Sequence, residues 1–484
     1  MRTVPAPNRS APVLALSAGA AAYCLVLARG ARLLGDGDTY WQIAAGNWIL
    51  QHRAVPHGDP FSFTVPGAAW VDHEWLGQVL IALAWRAGGW SGLALLAALA
   101  VALALALLGW RLARWLPPLP NLGFVALGYL TVLPGLLCRP HLLALPAMVT
   151  WCGALVAARA ASRPPHWALI PLMALWANLH GSFPAGLALA VPLAVEAALA
   201  APAGRQLRAA LAWGGFVTAS GLAACATPNL LQGLLHPLRI MAMAATLRAT
   251  DEWQSPDFQT LQPLEIWLMA ALGLALACGC RLPPLRILLL FGLLHAGLQH
   301  ARNQILLGLM GPLILAPALA AVLPRHHRIG AALQRLARPV RAGAVVAVLA
   351  ATALLLRHPL SRGEDAVTPG AALAHLPPAL AAEPVLNRYD FGGYLIFRGI
   401  RPYIDGRADM YGDAFMADYL ALLRPSPDQP EAVLRERAIA WTLFRPGDEI
   451  VTQLDALPGW RRIYADDIAV LHVRSGAVAA AIAR

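Results

Sequence analysis

Long apolar runs separated by short polar clusters fill residues 1–357. A helix that spans a bilayer needs about 20 mostly apolar residues. The pattern predicts an all-α polytopic membrane domain with about 11 transmembrane helices; the short ninth run and the tight junction at 183–184 leave that number open by one or two. Residues 75–88, interrupted by Arg86, fit either an interfacial helix or an extension of the second span. The eleven apolar runs lie at 11–34, 90–110, 121–138, 142–158, 166–183, 184–201, 209–226, 263–280, 287–299, 304–323 and 342–357.

Residues 358–484 follow a different pattern, with shorter apolar runs and more acidic residues. Alternating strands and helices are typical of a small α/β domain. We expect its boundary within 358–370, which is rich in proline, glycine and charge. Strands are predicted at 384–387, 401–407, 438–445 and 468–473, and helices at 413–423 and 449–457.

Composition agrees with a membrane protein, because 58% of the 484 residues are hydrophobic and only 13% are charged. Soluble proteins carry about 25% charged residues, so an ordinary cytosolic enzyme is excluded. Disorder is excluded too, since it requires low hydrophobicity. The net charge of +11 would by itself suggest a nucleic-acid partner, but its distribution argues against one.

The positive charge lies in alternate loops. One set of loops carries 15 arginines and a single acid, Glu196, whereas the other set within 1–356 carries 8 arginines and 9 acids. Cytoplasmic loops carry the excess of positive residues. We therefore expect a multi-pass membrane protein with a cytoplasmic N-terminus and an extracytoplasmic domain at 358–484. The charge then records membrane orientation, and no nucleic acid is expected as a partner.

The first outer loop, 35–74, holds the densest group of ionisable residues. It begins GDGDTYWQ, with Asp36 and Asp38, and it ends WVDHEWL, with Asp72, His73 and Glu74. Two carboxylates separated by one residue can share a divalent cation, or one can act as a general base. Both Asp38 and Asp72 also precede plausible helices, so a helix-capping role stays open.

Further polar residues are predicted at the same membrane face. Singly, each fits a loop or cap residue. Together they predict an outward-facing polar cavity with carboxylates on one side and cations on the other. Arginine binds phosphate through two parallel hydrogen bonds, so a phosphate-linked lipid substrate suits this cavity. These residues are Arg139 and His141 (RPH), Asn178 and His180 (WANLHGSF), Asp251, Glu252 and Trp253 (ATDEWQ), and His300, Arg302 and Asn303 (QHARNQ).

The C-terminal segment YIDGRAD offers a second candidate site. Tyr403, Asp405, Arg407 and Asp409 alternate with apolar or small residues there. Such side chains can bind sugar hydroxyls. A strand end followed by a turn explains the same spacing, and the sequence does not choose between the two interpretations.

Several of these motifs together resemble the GT-C superfamily of polytopic membrane glycosyltransferases, in particular bacterial relatives of protein mannosyltransferases and aminoarabinose transferases. The resemblance is carried by GDTYWQIAAGNWIL, DPFSFT, WVDHEWL, WANLHG, NRYDFGGYLIFRG and RPYIDGRADMYGD. It implies the GT-C fold, a sugar donor on a polyprenyl phosphate, and inversion at the anomeric carbon. The acceptor, whether an envelope glycan, lipid or protein, is not assigned by any motif.

The resemblance also implies roles for individual residues. Asp38 stands where such enzymes keep the first-loop acid, so it is the first choice for the general base, with Asp36 second. Arg302, Arg139 and His180 would stabilise the leaving phosphate, while Asp72 and Glu74 would orient the acceptor or help to hold a divalent cation such as Mg or Mn. Two other functions stay open: a transporter or flippase of a lipid-linked or small polar substrate, and a non-catalytic membrane assembly subunit.

Overall fold

The computed structural model describes residues 10–324, 334–424 and 429–482. The chain divides into two compact units. The helical unit comprises Met1–Leu33, Ser91–Pro237 and Thr250–Leu360, and the mixed unit comprises Leu34–Trp90, Leu238–Ala249 and Ser361–Arg484. The first outer loop, expected to belong to the membrane domain, is thus grouped with the C-terminal segment, whereas the third segment of the mixed unit begins within the predicted boundary at 358–370.

Helices fill the helical unit, and each of the eleven predicted apolar runs contains one. Because these segments are mostly apolar and carry few charged residues, they have few alternatives to a hydrogen-bonded helix in lipid. The helices are α1 (Ala11–Leu27), the second part of α3 (Trp75–Leu112), α4 (Pro118–Val132), α5 (Pro140–Ala160), α6 (Leu169–Leu179), α7 (Phe183–Leu199), α8 (Gln206–Ala224), α9 (Leu230–Ile240), α11 (Pro263–Ala277), α12 (Pro284–Gln299), α13 (Gln304–Val322) and α14 (Ala337–Arg357).

Among the described residues, four helices are long and apolar enough to cross a membrane: Trp75–Leu112, Pro140–Ala160, Ala301–Val322 and Ala337–Arg357. Five other apolar helices have 10–17 residues. The chain is therefore a multi-pass membrane protein, and the number of eleven spans stays a prediction.

The helical segment at 75–88 is separated from the span that follows it. Helix α3 loses helical geometry at Gly88 (φ −154°) and Gly89, whose φ of +54° lies in the left-handed region that favours glycine. The residues of α3 up to Trp90 belong to the mixed unit, and those from Ser91 onward belong to the helical unit. The helix predicted within 75–88 is thus distinct from the following span and ends before Gly88.

A four-stranded sheet forms part of the mixed unit. Its strands are β1 (Val385–Asn387), β2 (Trp441–Phe444), β3 (Trp460–Ala465) and β4 (Val470–Arg474). The order is β1-β2-β4-β3, with β1 parallel to β2 and the other pairs antiparallel. The remaining helices of this unit are α2 (Asp38–His52), α10 (Ala244–Ala249), α15 (Gly370–Ala374), α16 (Gly392–Phe397), α17 (Ala408–Leu422), α18 (Gln429–Glu436), α19 (Glu449–Ala456) and α20 (Ala477–Ile482).

The prediction of a strand at 401–407 was wrong, and a single side chain explains why. The Asn387 amide accepts a hydrogen bond from the Tyr403 N–H (2.8 Å) and donates one to the Ile404 carbonyl (2.9 Å). The backbone groups that would pair with a neighbouring strand are satisfied by this amide instead. Strand β3 was missed because its WRRIYA sequence lacks the apolar alternation of a half-buried strand.

One buried core joins the first loop to the C-terminal segment. It includes Trp41 and Trp70 from the loop and Met416, Tyr419 and Phe444 from the C-terminal segment. Burial of such aromatic side chains is a major stabilising term. The core therefore fixes the start of α2, where two candidate acids lie, against the C-terminal segment.

Candidate active-site clusters

Two arginines of the helical unit share one carboxylate. Arg139 lies directly before α5, Glu252 lies in a 3₁₀ turn at Asp251–Trp253, and Arg302 lies in a second turn at Ala301–Asn303. Arg139 Nη1 is 2.9 Å from Glu252 Oε2, and Arg302 Nη1 is 2.7 Å from Glu252 Oε1. The structure thus brings together three candidate residues from three separate loops.

Trp253 and His300 hold the two turns together. The Arg302 guanidinium lies 4.3 Å from the centre of the Trp253 ring, a favourable cation–π contact. The His300 Nδ1–H donates to the Trp253 carbonyl (2.6 Å), and the Ala301 N–H donates to the Gln254 carbonyl (2.9 Å). Trp253 and His300 therefore position Arg302, and substrate binding by these two residues stays a prediction.

This cluster, which we call the arginine pair (Arg139, Arg302 and Glu252), carries net positive charge. Burial opposes ionisation of Glu252, but Arg139 and Arg302 outweigh it and lower the pKa of this carboxyl to about 2. Glu252 is therefore anionic at neutral pH and cancels only one of the two guanidinium charges. The three side chains keep 20–32% of their surface exposed, so the cluster is accessible to a ligand.

A second carboxylate between two arginines provides an internal comparison. Glu196 receives hydrogen bonds from Arg286 at 3.1 and 3.2 Å, and Arg159 Nε lies 3.1 Å from Glu196 Oε1. These side chains keep only 6–14% of their surface exposed. The cluster around Glu196 is thus buried, as expected of a structural ion pair, whereas the cluster around Glu252 is partly exposed to solvent.

The neighbouring candidates of the helical unit make mostly backbone contacts. The His141 Nε2–H donates to the Gly135 carbonyl (2.8 Å), and its ring centre is 6.0 Å from that of His180. His180 Nδ1 accepts the Ser182 N–H (3.1 Å). The Asn178 amide donates to two carbonyl groups, and Asn303 lies directly before α13. These contacts fix loop conformation, and substrate binding by the four residues stays a prediction.

The two acids of GDGD meet at the start of α2. Asp38 is the first residue of this helix, and its N–H donates to Asp36 Oδ1 (3.1 Å). Arg362 Nη1 donates to the Asp36 carbonyl oxygen (2.8 Å). A carboxylate at a helix N-terminus is stabilised by the positive end of the helix dipole. Gly37 occupies the N-cap position of this helix, so Asp38 is not the capping residue, and its catalytic role stays a prediction.

The acids of WVDHEWL are held by two glutamines that sequence reasoning missed. The Gln78 amide donates to Asp72 Oδ1 (2.7 Å), and the Gln42 amide donates to Glu74 Oε2 (3.1 Å). Burial and the Glu74 charge raise the pKa of Asp72 to about 8, against the opposing hydrogen bonds from the Glu74 N–H and Gln78. Asp72 is therefore mostly protonated at neutral pH and is a poor general base there. His73 Nε2 is 3.7 Å from Glu74 Oε1.

The YIDGRAD segment contains a buried ion network. Arg407 Nη1 lies 2.6 Å from Asp59 Oδ1, and Arg407 Nη2 lies 2.7 Å from Asp405 Oδ2. The Tyr411 hydroxyl donates to the same Asp405 oxygen (2.7 Å). The Asp59, Asp405 and Arg407 side chains have no exposed surface. Asp405 and Arg407 thus hold the fold together, in place of the sugar-binding role that the sequence left open.

Comparison with solved structures identifies the fold. The apo structure of ArnT from Cupriavidus metallidurans matches with a TM-score of 0.52 at 14% identity, covering 95% of this chain and 96% of ArnT. The chain has the GT-C fold. ArnT bound to undecaprenyl phosphate matches with a TM-score of 0.49 at 14% identity (96% and 98% coverage). The apo oligosaccharyltransferase of Archaeoglobus fulgidus matches with a TM-score of 0.48 at 10% identity (88% and 69%). No family model and no curated protein sequence matches.

Within this GT-C fold, three motifs that carried the resemblance pack directly on one another. A Cβ at Gly37 of GDGD would lie 2.8 Å from the carbonyl oxygen of Asp390 in NRYDFGGY. A Cβ at Gly392 would lie 2.6 Å from Asp405 Cα in YIDGRAD. These glycines permit close backbone approach, and they join segments that are more than 350 residues apart at their extremes.

Trp41 and Gly406 lie beside Asp38 and were not predicted. A Cβ at Gly406 would lie 2.8 Å from both Asp38 Cγ and Trp41 Nε1. The sequence offered one indication that Trp41 lies near Asp38: the two residues are three positions apart, and residues at that spacing share a face of a helix.

Proposed function

We propose that this chain transfers a sugar from a polyprenyl-phosphate donor to an extracytoplasmic acceptor at the bacterial inner membrane, with inversion at the anomeric carbon. The observation that carries the proposal is the arginine pair, a partly exposed cluster with net positive charge in a GT-C fold. ArnT, whose apo structure shares this fold, has also been solved with undecaprenyl phosphate bound. The N-terminus is proposed to be cytoplasmic, and the donor arrives from the surrounding membrane lipid.

The arginine pair suits the phosphate of the donor. Guanidinium groups form strong charge-assisted hydrogen bonds to phosphate. Glu252 positions both arginines, because each of its two oxygens accepts a hydrogen bond from one Nη1 group. As the bond between the sugar and the phosphate breaks, negative charge grows on the phosphate, and fixed positive charge stabilises that change.

Asp38 is proposed as the general base. Its carboxylate takes the proton of the acceptor hydroxyl, whose oxygen then bonds to the anomeric carbon. The bond from that carbon to the phosphate oxygen breaks, and its electron pair leaves with the polyprenyl phosphate. Asp36 positions Asp38 through the hydrogen bond that it accepts. This mechanism does not require a metal ion, and the binding of a divalent cation near these carboxylates stays a prediction.

The two roles predict different kinetic defects. The assay supplies undecaprenyl-phosphate-linked hexoses and pentoses to membranes that contain the protein, and lipid mass spectrometry measures the undecaprenyl phosphate released. Loss of a general base lowers rates by about 10² to 10⁴-fold, so Asp38→Asn should lower kcat by about 100-fold or more with little change in donor KM. Arg302→Gln should raise donor KM by about 10-fold or more, because a charge-assisted hydrogen bond contributes about 1.5–3 kcal/mol. It should also lower kcat, since one cation no longer stabilises the charge that grows on the phosphate.

Arg159→Gln is the matched control for Arg302→Gln. It removes an arginine of the same unit that also lies beside a carboxylate, Glu196, but in the buried cluster. We expect its donor KM to equal that of the wild type in protein of comparable folded yield. Equal donor KM in Arg302→Gln and Arg159→Gln would remove the arginine pair as the phosphate site, and a fully active Asp38→Asn would remove Asp38 as the base.

A further inference from the structure

Gly406 lies in close contact with the Asp38 carboxylate within the mixed unit. A Cβ at this position would lie 2.8 Å from Asp38 Cγ, and the carboxylate oxygen Oδ1 lies closer still. The backbone of Gly406 is not in the left-handed region. Glycine is therefore required here for space, and the Asp405 and Arg407 side chains on either side are anchored in the buried ion network.

The indole of Trp41 reaches the same point. Trp41 Nε1 would also lie 2.8 Å from a Cβ at Gly406, so the indole nitrogen and Asp38 Cγ are at most 5.6 Å apart. Trp41 is 7% exposed, and its N–H has no hydrogen-bond partner among the described residues. Buried polar groups nearly always have a partner, so an orphaned indole N–H requires an explanation.

A single hydroxyl group would explain this arrangement. Hydrogen bonds between heavy atoms are about 2.8 Å long, so one oxygen can lie within reach of both groups. A hydroxyl both donates and accepts, which lets it donate to the Asp38 carboxylate while accepting from the Trp41 N–H. A protonated amine lacks the acceptor for Trp41, and a carboxylate lacks the donor for Asp38.

We propose that Trp41 and Asp38 together bind the nucleophilic hydroxyl of the acceptor, so that the acceptor is an alcohol, such as a sugar or a hydroxyl side chain. Gly406 is a positioning residue that leaves room for the Asp38 carboxylate. The proposal rests on the proposed transferase function. As the acceptor proton passes to Asp38, charge grows on the hydroxyl oxygen, and the Trp41 N–H bond strengthens at that moment.

Trp41→Phe tests the proposal, because it keeps an aromatic ring against Trp70 but removes the N–H. In the undecaprenyl phosphate release assay, we expect kcat to fall about 10- to 100-fold with donor KM unchanged. The acidic limb of the kcat–pH profile should move to higher pH, since a donor beside the Asp38 carboxylate is lost. Trp48→Phe, in the same helix but stacked on His52, is the control and should behave as the wild type.

Gly406→Ala provides a second variant. The added methyl displaces the Asp38 carboxylate, so kcat should fall at least 10-fold while donor KM is unchanged. Gly363→Ala is its control, because a Cβ there meets nothing within 4 Å. A wild-type kcat and pH profile in Trp41→Phe, measured while the wild-type protein releases undecaprenyl phosphate, overturns this inference alone. Failure of the wild-type protein to release undecaprenyl phosphate with every donor overturns the proposed function and this inference with it.

Discussion

Asp72→Asn should change the pH dependence of stability, because it removes a buried carboxyl group with a raised pKa. Asp72 is 2% exposed, and burial together with the Glu74 charge raises its pKa to about 8 from an ordinary value near 3.8. The folded protein holds this proton up to about pH 8, whereas the unfolded chain loses it near pH 4. Folding therefore takes up a proton between these limits, and stability falls as the pH rises through this window.

The size of the effect follows from the two pKa values. Each pH unit in the window corresponds to about 1.4 kcal/mol, so the wild-type protein loses on the order of 4 kcal/mol between pH 4 and pH 7. Asparagine does not titrate, and its oxygen can still accept the hydrogen bonds from Gln78 and the Glu74 N–H. The stability of Asp72→Asn relative to the wild type should therefore rise steadily from pH 4 to pH 8.

Thermal unfolding of the purified protein, followed by tryptophan fluorescence at pH 4.5, 6.0 and 7.5, measures this difference. The Tm of Asp72→Asn minus that of the wild type should grow by several degrees over the series. Asp467→Asn makes the same change at an exposed position of the same unit and serves as the control. A Tm difference for Asp72→Asn that stays constant across the series would refute the electrostatic reasoning.

Two predictions concern the packing that supports the site. Arg407→Met leaves the buried carboxylates of Asp59 and Asp405 without their cation, which should cost about 3–5 kcal/mol and lower the yield of folded protein on size-exclusion chromatography. Gly46→Ala places a methyl 2.6 Å from the carbonyl carbon of Gln78 and should cost about 1–3 kcal/mol. Gly123→Ala, where a Cβ meets nothing within 4 Å, should keep or raise the wild-type Tm, and equal Tm values for the two glycine variants would contradict this packing.

The helices were predictable because their signal is local. Each long apolar run has one way to satisfy its backbone in lipid, and all eleven runs contain a helix. The distribution of charge predicted that Arg139, Glu252 and Arg302 lie at one membrane face, and the structure shows that Glu252 forms ion pairs with both arginines. This cluster is more exposed than the one around Glu196. That difference depends on three-dimensional packing, which the spacing of residues in the sequence does not predict.

Long-range contacts account for the errors. The strand predicted at 401–407 has suitable local sequence, but Asn387 satisfies its backbone groups instead. Asp405 and Arg407 were considered for a sugar site because the sequence does not show their ionic partner. That partner, Asp59, is more than 300 residues away in the sequence. The contact of Gly406 with Asp38 is also long-range and could not be predicted from the sequence, since only the folded mixed unit brings these residues together.

Binding of undecaprenyl phosphate to the purified protein tests the central claim most directly. Native mass spectrometry would compare the affinities for undecaprenyl phosphate and for undecaprenol, which lacks the phosphate. We predict a preference of at least about 10-fold for the phosphate in the wild-type protein and in Arg159→Gln, and its loss in a variant that carries both Arg139→Gln and Arg302→Gln. Equal affinity for the two lipids, or a preference that survives in the double variant, would contradict the account.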